Sequence, residues 1–194
     1  MATHGLGPLS RFWLGSVADA LVRTATVPLL LLRPSEQPPP AAIAPPFRHM
    51  MIPLHGSDLA EQALDPALQL GRLMEADYTL LRVVKPVVML AHLEWLALSG
   101  TNETLTRQAL DEAQAYLDRI ADRLRGQGLT VQTRTVFHTY PADVILEEAR
   151  EADVIGLATH GRGRFRRLLL GSVADKVLRG GTTPMLVCRP RNET

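Results

Sequence analysis

Read for hydrophobic period alone, the chain alternates short apolar runs with amphipathic stretches. His49 to Leu54, Asp77 to Val84, Asp153 to Thr159 and Pro184 to Cys188 are apolar runs of strand length, and Thr130 to Phe137 alternates as a strand does. Between the first two, Leu59, Ala63, Leu64, Ala67, Leu68 and Gly71 recur on one face of a helix. Ser57 is placed to cap that helix, and Asp58 sits at its positive end. The clearest amphipathic helix runs from Glu103 to Arg125, with Leu105, Ala109, Ala113, Leu117, Ile120 and Leu124 as its stripe and Gly126 or Gly128 as its stop. Pro141 suits the first turn of a helix reaching about Ala152, and Ser172 opens one reaching about Gly180. Pro86 to Thr101 has no firm period and reads as an irregular or partly helical insertion. Five strands separated by helices, most of them continuously apolar, predict an α/β fold. The expected architecture is an open, doubly wound, five-stranded parallel sheet over residues 48–190, covered on both faces.

A second pattern lies over the first. Setting Ala2 to Pro34 on Ala158 to Pro190, at a constant offset of 156, gives 18 identities in 33 positions. Both copies carry Thr-His-Gly-x-Gly, a spacer and Leu-Gly-Ser-Val-Ala-Asp, the latter at Leu14 to Asp19 and at Leu170 to Asp175. Each then runs through a short helix into a Pro-led apolar strand, Pro28 to Leu32 or Pro184 to Cys188, closed by Arg-Pro. The domain expectation follows: residues 1–33 are the closing part of one domain, 34–47 a tether, 48–190 a complete domain and 191–194 a tail. Six prolines in the thirteen positions from Pro34 to Pro46 make that tether extended and semi-rigid. A helix and strand over Ser16 to Leu32 cannot bury their apolar faces alone. Something else must cover them. The missing half also suggests that Met1 is an internal methionine of a longer tandem protein.

Composition narrows the function classes. Of 194 residues, 46% are apolar, enough for a sizeable core, and a net charge of +1 provides no overall field toward nucleic acid or an anionic membrane. The single cysteine, Cys188, excludes an internal disulfide and a zinc site built from thiolates. The chain shows no signal-peptide pattern at Met1 and no apolar stretch of the roughly 20 residues a spanning helix needs, so a cytoplasmic protein is expected.

Candidate chemistry sits in the loops after the first and fourth strands of the complete domain, because ligands of doubly wound sheets bind outside the strands' carboxyl ends. In the second of these loops, Gly161 and Gly163 allow a close backbone approach, and Gly171 with Ser172 opens a helix whose first amides attract anions. Arg162, Arg164, Arg166 and Arg167 add cations between them. Phosphate is the natural ligand of such a loop. Ordinary turn and capping chemistry with solvated arginines accounts for the same residues equally well, and no Walker Gly-Lys-[Ser/Thr] occurs.

Ile52-Pro53-Leu54-x-Gly56-Ser57, Ala60 to Leu64, Pro141-Ala142-x-Val144-Ile145, and Ala158-Thr159-His160-Gly161-Arg162-Gly163 running to Leu169-Leu170-Gly171-Ser172-Val173-Ala174 together resemble a universal stress protein domain. Residues 2–34 resemble the last third of another. The resemblance implies an adenine nucleotide α-hydrolase-like fold and, in the family's ATP-binding branch, a Gly-x2-Gly-x9-Gly-[Ser/Thr] loop around the phosphates and ribose. Carried over residue by residue, Gly161, Gly171 and Ser172 match that loop, with Val173 following. Ala158 replaces its first glycine, and His160, Arg162 and Gly163 lie within it. Pro53 and His55 follow the first strand, where the family usually has Asp at the position of His55. Val83 stands where the resemblance puts adenine contacts. It further implies ATP as ligand, with or without Mg, and a homodimer or an intrachain pseudo-dimer through the last strand, with Val27 to Leu32 pairing antiparallel with Pro184 to Cys188 of its own chain or of a neighbour. The leading expectation is a nucleotide-binding stress-response module acting by occupancy, with at most slow hydrolysis, since no base and metal set of a fast phosphotransferase is visible. A dimerisation or interaction module without nucleotide is the alternative, favoured by His55. A dedicated adenine-nucleotide enzyme ranks third.

Overall fold

The computed structural model describes residues 15–33, 47–86, 101–159 and 171–188. The tether at 34–46, the insertion at 87–100, the loop at 160–170 and the tail at 191–194 lie outside the described residues. In chain order the elements are α1 (Ser16–Thr24), β1 (Leu29–Leu31), β2 (His49–Pro53), α2 (Asp58–Glu61), α3 (Leu64–Met74), β3 (Asp77–Val84) and α4 (Thr101–Arg125). There follow β4 (Val131–Phe137), α5 (Pro141–Glu148) with a 3-10 turn at Ala149–Glu151, β5 (Val154–Ala158), α6 (Ser172–Gly180) and β6 (Met185–Cys188). The sheet is six-stranded in the order β1-β6-β5-β2-β3-β4. The five expected parallel strands are β2 to β6, and β1 joins them antiparallel.

Alternation along the strands divides the core between the two faces. Met50 and Ile52 of β2 point into one cluster with α3 and α4, through Ala67, Leu68, Leu117 and Leu124. Met51 points into the other, with α1, α5 and α6, through Ala18, Ile145 and Val177. The single helix expected after β2 is two. Pro66 has no N–H to give the carbonyl of Gln62, and its ring crowds that carbonyl. The chain accordingly turns at Gln62 and Ala63 between α2 and α3.

The N-terminal segment is part of this sheet, through its own chain. The β1–β6 register is Leu29↔Val187, Leu30↔Leu186 and Leu31↔Met185. At the repeat offset Leu30 corresponds to Leu186, Leu29 to Met185 and Leu31 to Val187, so the ladder is a pseudo-two-fold centred on the Leu30–Leu186 pair. All four residues of β6 are buried, and the strand has β5 on one side and β1 on the other. No edge of β6 is left to a neighbouring chain. Charges repeat the symmetry: Arg23 Nε meets Asp19 Oδ2 at 2.7 Å and Arg179 Nε meets Asp175 Oδ2 at 2.9 Å, both four residues apart. Arg179 also reaches Asp19 at 3.9 Å, linking the copies. Arg33, its charged form disfavoured by burial, donates to the carbonyls of Leu178 at 2.8 Å and Arg179 at 2.6 Å, where the negative end of α6 needs a donor. Among the described residues no helix is long and apolar enough to cross a membrane.

The hydrogen bond from Arg23, helped by the charges of Arg23 and Arg179 and opposed by burial, holds the Asp19 carboxyl below its ordinary value of 3.8. A depressed folded value stabilises the protein above the unfolded value and ceases to do so as pH falls through the folded one. Asp19→Asn should therefore cost about 0.5–1 kcal/mol near neutral pH. In urea melts the gap to the parent should close as pH falls through the depressed titration range of Asp19.

Candidate functional site

The cleft of this fold arises from where its ladders stop. β2 pairs with β5 only at Met50↔Val154 and Met51↔Ile155. Asp153 closes their amino ends, its Oδ2 accepting the amides of Arg48 at 2.8 Å and His49 at 2.9 Å. Toward the carboxyl ends, β2 stays with β3, the Leu54 amide donating to Leu81 at 2.8 Å, while β5 stays with β6, the Thr159 amide donating to Cys188 at 2.9 Å. The central pair is thereby drawn apart at the point where the strand order reverses.

The resulting cleft has a volume of about 500 Å³. Leu54, Leu81, Val83, Ile145 and Leu157 give it an apolar floor, and His55, Lys85, Gly171 and Ser172 stand among its polar lining. Gly171 is extended at φ −56°, ψ 148°, and α6 begins at Ser172 without a side-chain cap. The first-turn amides of Ser172, Val173 and Ala174 therefore have no acceptor within their own helix. Gly15 before α1 has the same conformation, φ −52°, ψ 150°, so two copies of one sequence fold alike locally.

On the opposite wall, Gly56 turns the chain at φ +91°, a conformation that L side chains rarely adopt. A Cβ there would also lie 3.1 Å from the Arg82 guanidinium. Arg82 in turn stacks 4.8 Å from the Tyr116 ring centroid, and the Tyr116 hydroxyl donates to Glu61 at 3.0 Å. Burial, then the Glu61 bond, pushes the phenol well up. The guanidinium on its aromatic ring thus occupies the space that a side chain at position 56 would need. Ser57 Oγ accepts the Ala60 amide at 3.2 Å and shares a 3.3 Å hydrogen bond with His55 Nε2.

Of the site residues expected from sequence, Pro53, His55, Val83, Ala158, Gly171, Ser172 and Val173 all line this one cleft. His160, Gly161, Arg162 and Gly163 lie outside the described residues. Lys85, Pro141, Ile145 and Leu157 also line it and were not anticipated. Lys85 had a readable signal, since it directly follows the carboxyl end of β3. The Gly56–Arg82–Tyr116 stack had none, because it joins three distant positions. No carboxylate lines the cleft among the described residues, and among them no group of three or more His, Cys, Asp or Glu is placed to hold a metal.

The pattern of the Universal stress protein family matches residues 1–33 and 46–189. A universal stress protein of Mycolicibacterium smegmatis is 28% identical over 193 residues, covering 98% of this chain and 61% of that protein. The crystal structure of a universal stress protein from Archaeoglobus fulgidus superposes with a TM-score of 0.65 at 19% identity, over 97% of this chain and 61% of that one. A universal stress protein in complex with cAMP shares the fold at a TM-score of 0.50 and 21% identity, over 73% and 96% of the two chains. The chain thus spans about three fifths of the length of the first two of these proteins.

Gly56→Ala should lower stability by about 1–2 kcal/mol, from the left-handed backbone and the displaced Arg82. Urea unfolding monitored by circular dichroism measures it, and an unchanged midpoint would mean that the loop is not held in this conformation.

Proposed function

This chain belongs to the universal stress protein family, and from that membership we propose that its cleft binds an adenine nucleotide and that the protein acts as a stress-response module in the cytoplasm through occupancy of that site. The carrying observation is the coincidence of two features: the gap between β2 and β5, and the N-terminus of α6 with Gly171 and Ser172 on its lining. An apolar floor of Leu54, Leu81 and Val83 suits the flat face of a base, and about 500 Å³ lies within the usual range for small-ligand sites. In this reading Pro53 and Val83 border the base, and His55 replaces a carboxylate as a neutral hydrogen-bonding and stacking group. Gly161, Gly171 and Ser172, with Val173 following, are the motif positions for the phosphates and ribose, Ala158 takes the place of the first glycine, and His160, Arg162 and Gly163 are the further candidates between them. That a protein of the same fold was solved with cAMP is consistent with it. Hydrolysis at this site is at most slow, since among the described residues no carboxylate lines the cleft.

A second reading, an interaction module, draws on the N-terminal segment. Val17 is 67% exposed and Val27 61%, apolar side chains for which a partner protein would be the natural cover.

Nucleotide released by denaturation from the purified protein and identified by mass spectrometry tests the first reading, together with ATP calorimetry on the emptied protein. Micromolar binding is expected, weakened at least about tenfold in Gly171→Val, where a branched side chain blocks the approach to α6. No heat at millimolar ATP would leave the interaction module as the function.

A further inference from the structure

The charges around the cleft are one-sided. Lys85 is the only lining residue among the described ones with a permanent positive charge, and it is exposed at the carboxyl end of β3. The nearby carboxylates are engaged elsewhere or point outside the lining. Glu61 accepts from Tyr116, Asp175 pairs with Arg179, and Asp58 and Asp143 do not line the cleft. A magnesium ion bound to a nucleotide is ordinarily held by one or two protein carboxylates as well as by the phosphates. The described residues that line this cleft do not fit that role.

We infer that Lys85 provides the counter-charge for the phosphates and that the cleft takes its nucleotide as the free anion, not as the magnesium chelate. This rests on the nucleotide reading of the same cleft. Chelation cancels part of the phosphate charge, which weakens the ion pair with Lys85 and the attraction of the α6 N-terminus while gaining no ligand from the protein. Lys85 is on a flexible stem at the cleft mouth, so it can follow the phosphates without moving the fold.

Calorimetric titration of the full chain with ATP, in EDTA and in excess MgCl2 at matched ionic strength, tests this. Free ATP should bind about fivefold tighter than MgATP. Lys85→Gln should weaken free ATP about tenfold, weaken MgATP less and so close most of the gap, whereas Lys85→Arg should keep it. Because Lys85 is exposed, the variants should melt with the parent, which circular dichroism checks. Binding that is equal or tighter with magnesium, or a gap that survives Lys85→Gln, would overturn the inference and leave the nucleotide reading standing. Binding in neither buffer would overturn both.

Discussion

The structure depends on the antiparallel ladder between β1 and β6. A wholly buried strand needs partners for the hydrogen-bonding groups of both its edges, and β5 supplies only one side. β1 supplies the other with nearly the same sequence, which is why the register centres on equivalent leucines, Leu30 and Leu186. Two copies of one strand meet most symmetrically when antiparallel, since each then offers the other the same groups. What two-fold assemblies achieve with two chains is achieved here within one.

The ladder reaches the cleft through α6. The N-terminus of that helix stands at the cleft, and its C-terminal carbonyls accept from Arg33, two residues beyond the end of β1. Asp19 joins the same helix through Arg179. The N-terminal copy therefore holds in place the helix whose first turn lines the cleft, although it contributes no described residue to the lining. On the other wall the Arg82 guanidinium lies between Gly56 and Tyr116. One wall is positioned by an ion and hydrogen-bond set spanning the repeat, and beside the other lies a cation–π stack between β3 and α4.

Much of this was legible because its causes are local. Continuous apolar runs identified the strands, the stripe from Leu105 to Leu124 identified α4, and the repeat, taken with the family resemblance, led to the antiparallel β1–β6 pairing. The break between α2 and α3 was also a local matter. The apolar stripe runs straight through it and masks Pro66, whose missing N–H decides the turn. Lys85 stands one step past the end of its strand, outside the apolar pattern that marks Val83. The approach of Arg82 to Gly56 was not legible at all, since nothing in the spacing of residues 56, 82 and 116 marks them as neighbours.

The sequence by itself determined the type and order of the elements, the repeated local conformation at Gly15 and Gly171, and the identity of the strand that covers β6. Each of these follows from short-range sterics, from hydrophobic period or from the likeness of two segments. Only the tertiary structure decided that β2 and β5 part company beyond Met51 and Ile155, and that a lysine rather than a carboxylate stands at the opening. The reason is physical: the separation is set by competition between ladders, β2 following β3 and β5 following β6, and no stretch of chain contains both sides of that competition.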